Sequence, residues 1–207
     1  MISLTHLIPC YNTDPHHLME CVNSIITQSS DQILIVDDGS TNPLTVKTIE
    51  FIASIYPQVK PVYLNENVGA AEARNIGLQH ITTEYTALMD SSDIALPGKY
   101  QEQVAALLSD RKIDVIGTGL TGFKGVNRTN LFNLVHPKVP TLKYMKGHNV
   151  SFIVNHGTVI YRNEAVKAVG GYNKDFRRGH DVELWSRMWK NGAKFRNIEK
   201  ILYLWRR

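Results

Sequence analysis

The chain has 207 residues, of which 43% are hydrophobic and 20% are charged. This composition is that of a folded globular protein and excludes an intrinsically disordered one. The net charge of +4 suits an anionic ligand or surface without requiring nucleic acid, and no apolar run approaches the ~18 residues that a membrane-spanning helix needs.

Predicted strands and helices alternate over the first 110 residues. Apolar runs predict strands at ISLTHLI, QILIV, KPVYL and YTALMD, which occupy 2–8, 32–36, 60–64 and 85–90. Apolar residues at helical spacing predict helices over 15–28 and 46–56, and a third, Ala-rich helix is opened by Gly69. Continuous apolar strands are typical of a parallel sheet that is buried on both faces. We therefore expect an open, Rossmann-like α/β sheet.

The second half of the chain is less regular. KIDVIG (112–117) predicts a fifth strand, and the Gly- and Asn-rich stretch 117–130 that follows is predicted to be a flexible loop. GTGLTG (117–122) matches the glycine pattern of dinucleotide-binding proteins, but no amphipathic helix follows it. FIVNHGTVIY (152–161) is expected to pair with an earlier strand, and ILYLW (201–205) to be extended. Two more helices are predicted, over 163–169 before Gly170-Gly171 and over 182–191 before Gly192.

No linker divides the chain, so we expect one domain over 1–207. The two cysteines, Cys10 and Cys21, lie in a predicted strand and on the apolar face of a predicted helix. Two such positions favour buried, reduced thiols in a cytosolic protein over a disulfide.

Polar turns follow three of the predicted strands, at 9–12, 37–40 and 90–93. One such turn is more often a plain loop, but ligands of open parallel sheets bind beyond the carboxyl ends of the strands, where all three would meet. The ring of Tyr11 offers a stacking face for a base. Carboxylates beside a diphosphate indicate a divalent cation, Mg²⁺ or Mn²⁺, between them.

Six motifs occur in the order and spacing of family 2 glycosyltransferases, which the chain resembles over nearly its whole length. They are IPCYN, VDDGS, NENVGAAEARNIGL, LMDSSDIALPGKY, HGTVIYRNEAVKAVGGY and GHDVELWSRM. The resemblance implies a GT-A fold, with a mostly parallel central sheet flanked by helices. It also implies a nucleotide-binding half (1–110), an acceptor-side half (111–207), and an inverting transfer from a nucleoside-diphosphate sugar, UDP-linked in our interpretation.

The resemblance also implies the donor-site residues. Pro9, Tyr11, Asn12 and Asp38 match the positions that hold the base, and Arg74 matches the helix beneath the donor. The loop residues Asp90, Ser91 and Ser92 match the donor loop, and His156 stands where the family has a similar residue near the donor sugar.

Two family positions differ in this chain. Ser92 replaces the Asp that usually binds the metal, and a hydroxyl is a weaker ligand for Mg²⁺ or Mn²⁺ than a carboxylate. The resemblance therefore implies weak metal binding, or binding by Asp90 together with Asp93 and the diphosphate. His180 replaces a Glu that usually precedes the catalytic base.

Asp181 matches the general base of the family, which removes the proton of the acceptor hydroxyl as that oxygen attacks. The plain structural alternative is that Asp181 caps the helix that follows it. Next to it, His180 and Trp185 are predicted on the acceptor side.

Other functions stay open from the sequence alone. Ser92 and His180, together with an LYLWRR ending that lacks a family His, allow a nucleotide-sugar-binding protein with impaired catalysis. A sugar nucleotidyltransferase would carry a Gly-rich phosphate loop after its first strand, and none is present here. The family default is a glycan or lipid-linked acceptor, while the basic pI leaves a nucleic-acid acceptor open. We expect a cytoplasmic protein, with peripheral binding to a membrane as an alternative; the sequence does not indicate an oligomeric state.

Overall fold

The computed structural model describes residues 2–140 and 153–207. Its strands are β1 (Leu4–Cys10), β2 (Gln32–Asp37), β3 (Val59–Tyr63), β4 (Tyr85–Leu88), β5 (Ile94–Ala95), β6 (Val115–Lys124), β7 (Thr129–Leu134), β8 (Ile160–Arg162) and β9 (Phe195–Arg206). Its helices are α1 (Pro15–Ile26), α2 (Pro43–Ile55), α3 (Ala70–Gln79), α4 (Lys99–Ser109), α5 (Asn163–Lys167) and α6 (His180–Lys190), with a 3₁₀ turn at His156–Thr158.

The nine described strands form one sheet, in the order β3-β2-β1-β4-β8-β6-β9-β5, with β7 pairing with β6. β1 pairs in parallel with both β2 and β4, and β2 with β3. β8 is antiparallel to both β4 and β6, and β9 is parallel to β6. Because only β5, β7 and β8 run in the opposite direction, the prediction of a mostly parallel sheet flanked by helices is confirmed.

Helices cover both faces of this sheet. One core cluster packs α1, α2 and α4 on one face, through residues such as Cys21, Ile49 and Leu107. The other cluster packs α3, α5 and α6 on the opposite face, through residues such as Leu78 and Trp185. The apolar runs of β1 and β2 serve both clusters, which explains why they do not alternate with polar residues.

Local sequence explains where the first helices begin. The Asp14 side chain accepts hydrogen bonds from the backbone N–H groups of His16 and His17, and Pro15 occupies the first turn of α1. α2 begins in the same way. The Asn42 side chain accepts a hydrogen bond from the backbone N–H of Leu44, and Pro43 occupies the first turn. The inward face of α2 is formed by Thr45, Ile49 and Ile52, and Ala53 and Tyr56 pack partly buried against the same core.

The prediction of a flexible loop over 117–130 is wrong. Most of this stretch is β6 and β7. Its glycines allow neighbouring groups to approach the strands closely. A Cβ at Gly119 would lie 2.9 Å from the Lys200 carbonyl oxygen in β9, and one at Gly122 would lie 2.5 Å from the Phe132 ring. The stretch is therefore a packed strand whose glycines are sites of close contact.

Other expectations from the second half hold in part. The 152–161 segment, whose first residue lies outside the described residues, forms the 3₁₀ turn and the start of β8, which pairs with β4 as expected. Cys10 and Cys21 are buried free thiols, as predicted. Among the helices of residues 2–140 and 153–207, none combines the length and the apolar character that a bilayer crossing requires.

We predict that Gly119→Ala lowers the free energy of unfolding by about 2–3 kcal/mol, because the added methyl group would overlap the backbone of β9, which cannot move aside. Chemical denaturation of the purified variant measures this. Gly125→Ala is the matched control, since Gly125 has a φ of 72° but open space around it. Backbone strain alone costs that control about 1 kcal/mol. Equal losses in both variants would contradict the close contact between β6 and β9.

Candidate active site

A cavity of 370 Å³ lies beyond the carboxyl end of β4. One part of its wall is polar and is formed by α3, the turn after β4, the 3₁₀ turn and the start of α6. The other part is mainly apolar and comes from β6, β7 and β9. The described lining residues are Ala70, Arg74, Asp90, Asp93, Leu120, Leu134, Val154, Asn155, His156, Gly157, His180, Asp181, Tyr203 and Trp205. Five of the predicted site residues, together with Asp93, therefore meet around one cavity.

Arg74 joins three parts of the polar wall. Its side chain is 5% exposed, and one guanidinium nitrogen (Nη2) lies 2.7 Å from Asp90 Oδ1. Nη1 donates to the Ala70 carbonyl at 3.0 Å and lies 3.3 Å from Nε2 of His180. A guanidinium can only donate, so Nε2 of His180 accepts and the ring proton is on Nδ1. Arg74 Nε has no hydrogen-bond partner among the described residues.

Asp90 is the partly exposed carboxylate of the turn after β4. Its side chain is 40% exposed, and only Oδ1 is bonded to Arg74. Oδ2 lies beside Gly157, where a Cβ would be 3.1 Å from it and 2.5 Å from the Tyr203 hydroxyl. The backbone N–H of Asp90 donates to that hydroxyl at 3.3 Å. Asp90 is thus fixed on one side and open on the other, and Gly157 leaves the space for it.

Asp93 has a different environment from Asp90. It is 1% exposed, and its two oxygens accept from the Tyr203 hydroxyl and from the Arg206 backbone N–H, each at 2.8 Å. Burial, followed by the negative charge of Asp90, raises the pKa of Asp93 to about 8. Its carboxyl group ties the turn after β4 to β9, and its role as a metal ligand stays a prediction.

The two serines between these acids do not line the cavity. The Ser91 hydroxyl is 2.6 Å from that of Thr13, and the Ser92 carbonyl accepts from Arg206 Nε at 2.8 Å. The residues described here contain no group of three or more His, Cys, Asp or Glu side chains that could hold a metal ion. Of the predicted metal ligands, only Asp90 has an oxygen without a hydrogen-bond partner among residues 2–140 and 153–207.

The predicted base-binding residues lie next to the cavity but not in its wall. Asn12 connects two of the strand-end turns, because its backbone N–H donates to Ser40 and its side-chain oxygen accepts from the Asn42 N–H. Tyr11 is 46% exposed beside it, and Pro9 is the second-last residue of β1.

Asp38 is 3% exposed and is bonded within the protein. Its carboxylate accepts from the N–H groups of Val68 (2.7 Å) and Gly69 (3.0 Å) and from the Asn67 side chain (2.9 Å). Burial nevertheless raises the pKa of Asp38 above its usual value, since desolvation outweighs these bonds. In the structure Asp38 fixes the segment that leads into α3, and its predicted contact with a base stays a prediction.

Asp181 lies in the first turn of α6, which begins at His180 after Gly179. The capping alternative is therefore not supported, because no side chain caps this helix and Asp181 lies inside it. The Asp181 side chain forms no hydrogen bond or ion pair with any residue in the described ranges, and it lines the cavity. Burial, followed by the Arg74 charge, lowers the pKa of the neighbouring His180, which is consistent with a neutral ring.

His156 belongs to an aromatic cluster behind the polar wall. Its Nε2 is 3.0 Å from the Tyr172 hydroxyl, and its ring contacts those of His180 and Trp185. Burial, followed by the Arg74 charge, lowers the pKa of His156 well below its usual value. Trp185 has no exposed surface and packs on Phe195. Trp185 is therefore part of the core, and its contact with an acceptor stays a prediction.

Sequence patterns missed the residues that β6, β7 and β9 bring to the cavity. Leu120 and Leu134 lie opposite each other in the pairing of β6 with β7, and Tyr203 and Trp205 alternate along β9. Tyr203 and Trp205 are two positions apart in a predicted extended segment, and this spacing indicates that their side chains lie on the same face of a strand. Nothing in the local sequence indicated that this face meets the turn after β4.

Comparisons with known proteins agree with this arrangement. A sequence model of the family described as glycosyl transferase family 2 matches residues 5–170. The putative glycosyltransferase EpsE of Bacillus subtilis is 30% identical over 192 residues, which are 90% of this chain and 66% of EpsE. The amylovoran biosynthesis glycosyltransferase AmsE of Erwinia amylovora is 27% identical over 204 residues, which are 95% of this chain and 73% of AmsE.

The crystal structure of S. aureus TarS 1-349 superposes with a TM-score of 0.78 at 20% identity, covering 99% of this chain and 60% of that structure. At this identity the likeness shows the fold, which is of the GT-A type. The chain spans about two thirds of the length of EpsE and 60% of the TarS structure.

We predict that the contribution of Asp93 to wild-type stability falls as the pH rises from about 4 towards 8. The folded state binds the Asp93 proton more tightly than the unfolded state does, because the pKa in the folded state is about 8. Folding is therefore favoured at low pH and loses this contribution, about a few kcal/mol, as the pH approaches 8. In thermal denaturation between pH 5 and pH 9, the stability of wild type relative to Asp93→Asn should decrease as the pH rises.

Asp175→Asn, at an exposed position, is the control for this experiment and should follow the wild-type curve. If Asp93→Asn and wild type keep parallel curves over the whole pH range, Asp93 does not bind a proton in the folded state.

Proposed function

The chain belongs to glycosyl transferase family 2, and from this membership we propose that it is an inverting glycosyltransferase. It moves a sugar from a nucleoside diphosphate, UDP in our proposal, to an acceptor hydroxyl. The observation that carries the proposal is that Arg74, Asp90 and Asp181, which belong to three separate elements, line one cavity. Such a transfer needs a binding site for the donor, a positive group that offsets the charge of the diphosphate, and a free carboxylate that accepts the proton of the acceptor.

Asp181 acts as the general base in this proposal. In an inverting transfer, the acceptor oxygen attacks the anomeric carbon while the bond from that carbon to the diphosphate oxygen breaks. The acceptor hydroxyl loses its proton to a base on the face opposite the leaving group, and such a base contributes ~10²–10⁴-fold to the rate. Asp181 suits this task because it faces the cavity without a protein partner among the described residues.

Arg74 offsets the charge of the leaving diphosphate. It is the only Arg or Lys among the lining residues that the structure describes, and its Nε lacks a hydrogen-bond partner there. Burial strengthens its interaction with phosphate oxygens because water does not screen the charge there. A fixed guanidinium needs no rearrangement when the charge develops on the departing oxygen.

Mn²⁺ or Mg²⁺ is the cofactor in this proposal, and Asp90 is the residue that would hold it. Arg74 faces two partly exposed carboxylates, Asp90 and Asp181, so a diphosphate would add negative charge to a cavity that is already negative. Mg²⁺ is commonly bound by one or two carboxylates together with substrate phosphates, and the open oxygen of Asp90 fits that set. When bound, the ion would neutralise charge on the diphosphate.

The base of the donor is proposed to lie against Tyr11, beside Asn12 and the Asp38 turn. The Ser91–Thr13 hydroxyl contact joins this region to the turn that carries Asp90, so the two parts of a nucleotide sugar would lie on adjacent surfaces. His180 is held by Arg74 on the acceptor side of the cavity.

The acceptor is proposed to be a glycan or a lipid-linked saccharide. The relatives EpsE and AmsE are longer than this chain. A cytoplasmic location, with peripheral contact to a membrane, is also part of the proposal.

We predict that Asp181→Asn lowers the rate of UDP release from UDP-sugars by ~10²–10⁴-fold and leaves the Kd for UDP unchanged, because the amide cannot accept a proton. Release from UDP-glucose, UDP-galactose and UDP-N-acetylglucosamine is measured with a coupled UDP assay, and Kd by calorimetry. Asp175→Asn, at an exposed position before α6, is the matched control.

An unchanged rate in Asp181→Asn would show that another group is the base. If wild type binds UDP tightly but releases none from any of these donors, the chain is the nucleotide-sugar-binding protein with impaired catalysis.

We predict that Mn²⁺ strengthens UDP binding by wild type at least about tenfold, and that Asp90→Asn removes this gain, because Asp90 has an open carboxylate oxygen beside Arg74, the group proposed to contact the diphosphate. Calorimetry with UDP in Mn²⁺ and in EDTA measures both. Asp93→Asn is the control and should keep the gain, since its carboxyl group is bonded within the protein. Equal UDP affinity in Mn²⁺ and in EDTA for wild type would show that no ion takes part.

A further inference from the structure

The outer face of α2 carries large apolar side chains that the core does not use. Leu44, Phe51 and Ile55 are 58%, 55% and 45% exposed. They are seven and four positions apart, so they lie on one side of the helix, while Thr45, Ile49 and Ile52 pack inward. Single exposed apolar residues are ordinary, but a stripe of three along one helix marks a contact surface.

A groove of 530 Å³ lies beside this stripe, between α1 and α2. Pro15 and Met19 of α1 form one wall, and Leu44 and Phe51 of α2 form the other. Lys47, which is exposed on α2, is the charged residue of the groove. The groove therefore extends the apolar stripe onto the second helix and places a cation within it.

A basic hollow of 260 Å³ adjoins the groove, and His16 lines both. Three arginines, Arg128, Arg206 and Arg207, line the hollow. Glu20 forms ion pairs with Arg128 and Arg206, so one acid faces three guanidinium groups and the hollow keeps a positive charge. Arg207 is exposed.

An exposed apolar side chain, that of Val126, lies beside these arginines. Val126, at the turn between β6 and β7, is 95% exposed and lines the hollow. Apolar side chains next to cations, on one continuous surface, are the combination found where proteins bind the interface of a membrane.

We propose that this surface, formed by Leu44, Phe51, Ile55, Val126 and the three arginines of the hollow, docks the protein on an anionic lipid bilayer. The apolar side chains would enter the headgroup region, and the arginines would contact lipid phosphates. A second copy of the chain fits less well, because a symmetric contact through this surface would bring two positively charged hollows together.

The position of the surface in the fold agrees with this inference. α1 and α2 both begin at the carboxyl end of the strand that precedes them, which is the sheet edge where Asp90 also lies. Docking would therefore bring the cavity edge of the sheet close to the bilayer. The inference deepens the proposed lipid-linked acceptor, but its test measures binding alone and so stands or fails apart from the transfer reaction.

The test is sedimentation of the protein with vesicles of phosphatidylglycerol and phosphatidylcholine, with phosphatidylcholine vesicles as the uncharged reference. Wild type should bind the anionic vesicles, and more weakly at high salt. The double variant Leu44→Ser/Phe51→Ser should bind at least about tenfold more weakly, since two large apolar side chains no longer enter the interface. Arg207→Ser should lose about fivefold, the effect of one cation near an anionic surface.

Phe176→Ser and Arg178→Ser are matched controls, because both residues are exposed and precede α6 on the other side of the sheet. They should bind as wild type does. Absence of binding to anionic vesicles, or equal losses in the controls, would overturn the proposal. Light scattering completes the test: a dimer that Leu44→Ser/Phe51→Ser converts to a monomer, without vesicle binding, would show that the surface joins two copies instead.

Discussion

The arrangement of the cavity depends on one buried guanidinium. Arg74 is nearly inaccessible to solvent, and a buried charge that loses its partner costs about 3–5 kcal/mol. The fold therefore has to supply partners, and it does so from the turn after β4 through Asp90 and from the start of α6 through His180. Because these two elements are separated by 90 positions in the chain, the pairing of Arg74 determines that they meet at one place.

The position of Arg74 is itself fixed from another strand end. Asp38, after β2, accepts three hydrogen bonds from 67–69 and so sets where α3 begins. Arg74 lies about one turn after the first residue of α3, so the start of the helix determines the position of Arg74. The turn after β2 therefore positions α3 through Asp38, and α3 positions the turn after β4 through the contact of Arg74 with Asp90. This explains why an acid that resembles a ligand-binding residue can be almost fully buried and yet be important to the site.

The second half of the chain closes the cavity through β9. Its Tyr203 hydroxyl contacts both acids of the turn after β4, accepting from the Asp90 N–H and donating to Asp93. Gly157 permits this approach, since a Cβ there would overlap the hydroxyl. Two carboxyl groups three positions apart are thereby given opposite properties: Asp90 keeps an open oxygen at the cavity, and Asp93 becomes a buried structural group. The same strand ends at Arg206, one of the three arginines of the basic hollow, so the cavity wall and the proposed docking surface share one element.

The sequence by itself determined the parts of this protein that depend on short-range periodicity. The alternation of apolar runs and amphipathic helices predicted β1 to β4 and α1 to α3, and the polar strand ends predicted where Asp90 would lie. The motif order placed Asp181 near the same site, and the structure brings the two residues to one cavity.

Only the tertiary structure decided which similar residues are exposed and which are buried. Asp93 is bonded to Tyr203, 110 positions away, and the glycines of β6 are covered by Lys200 and Phe132, so their environments are set by distant parts of the chain. Likewise, Trp185 is buried under Phe195, whereas Trp205 reaches the cavity. The physical reason is that burial and charge depend on contacts between strands that are far apart in sequence, and a local pattern carries no information about those contacts.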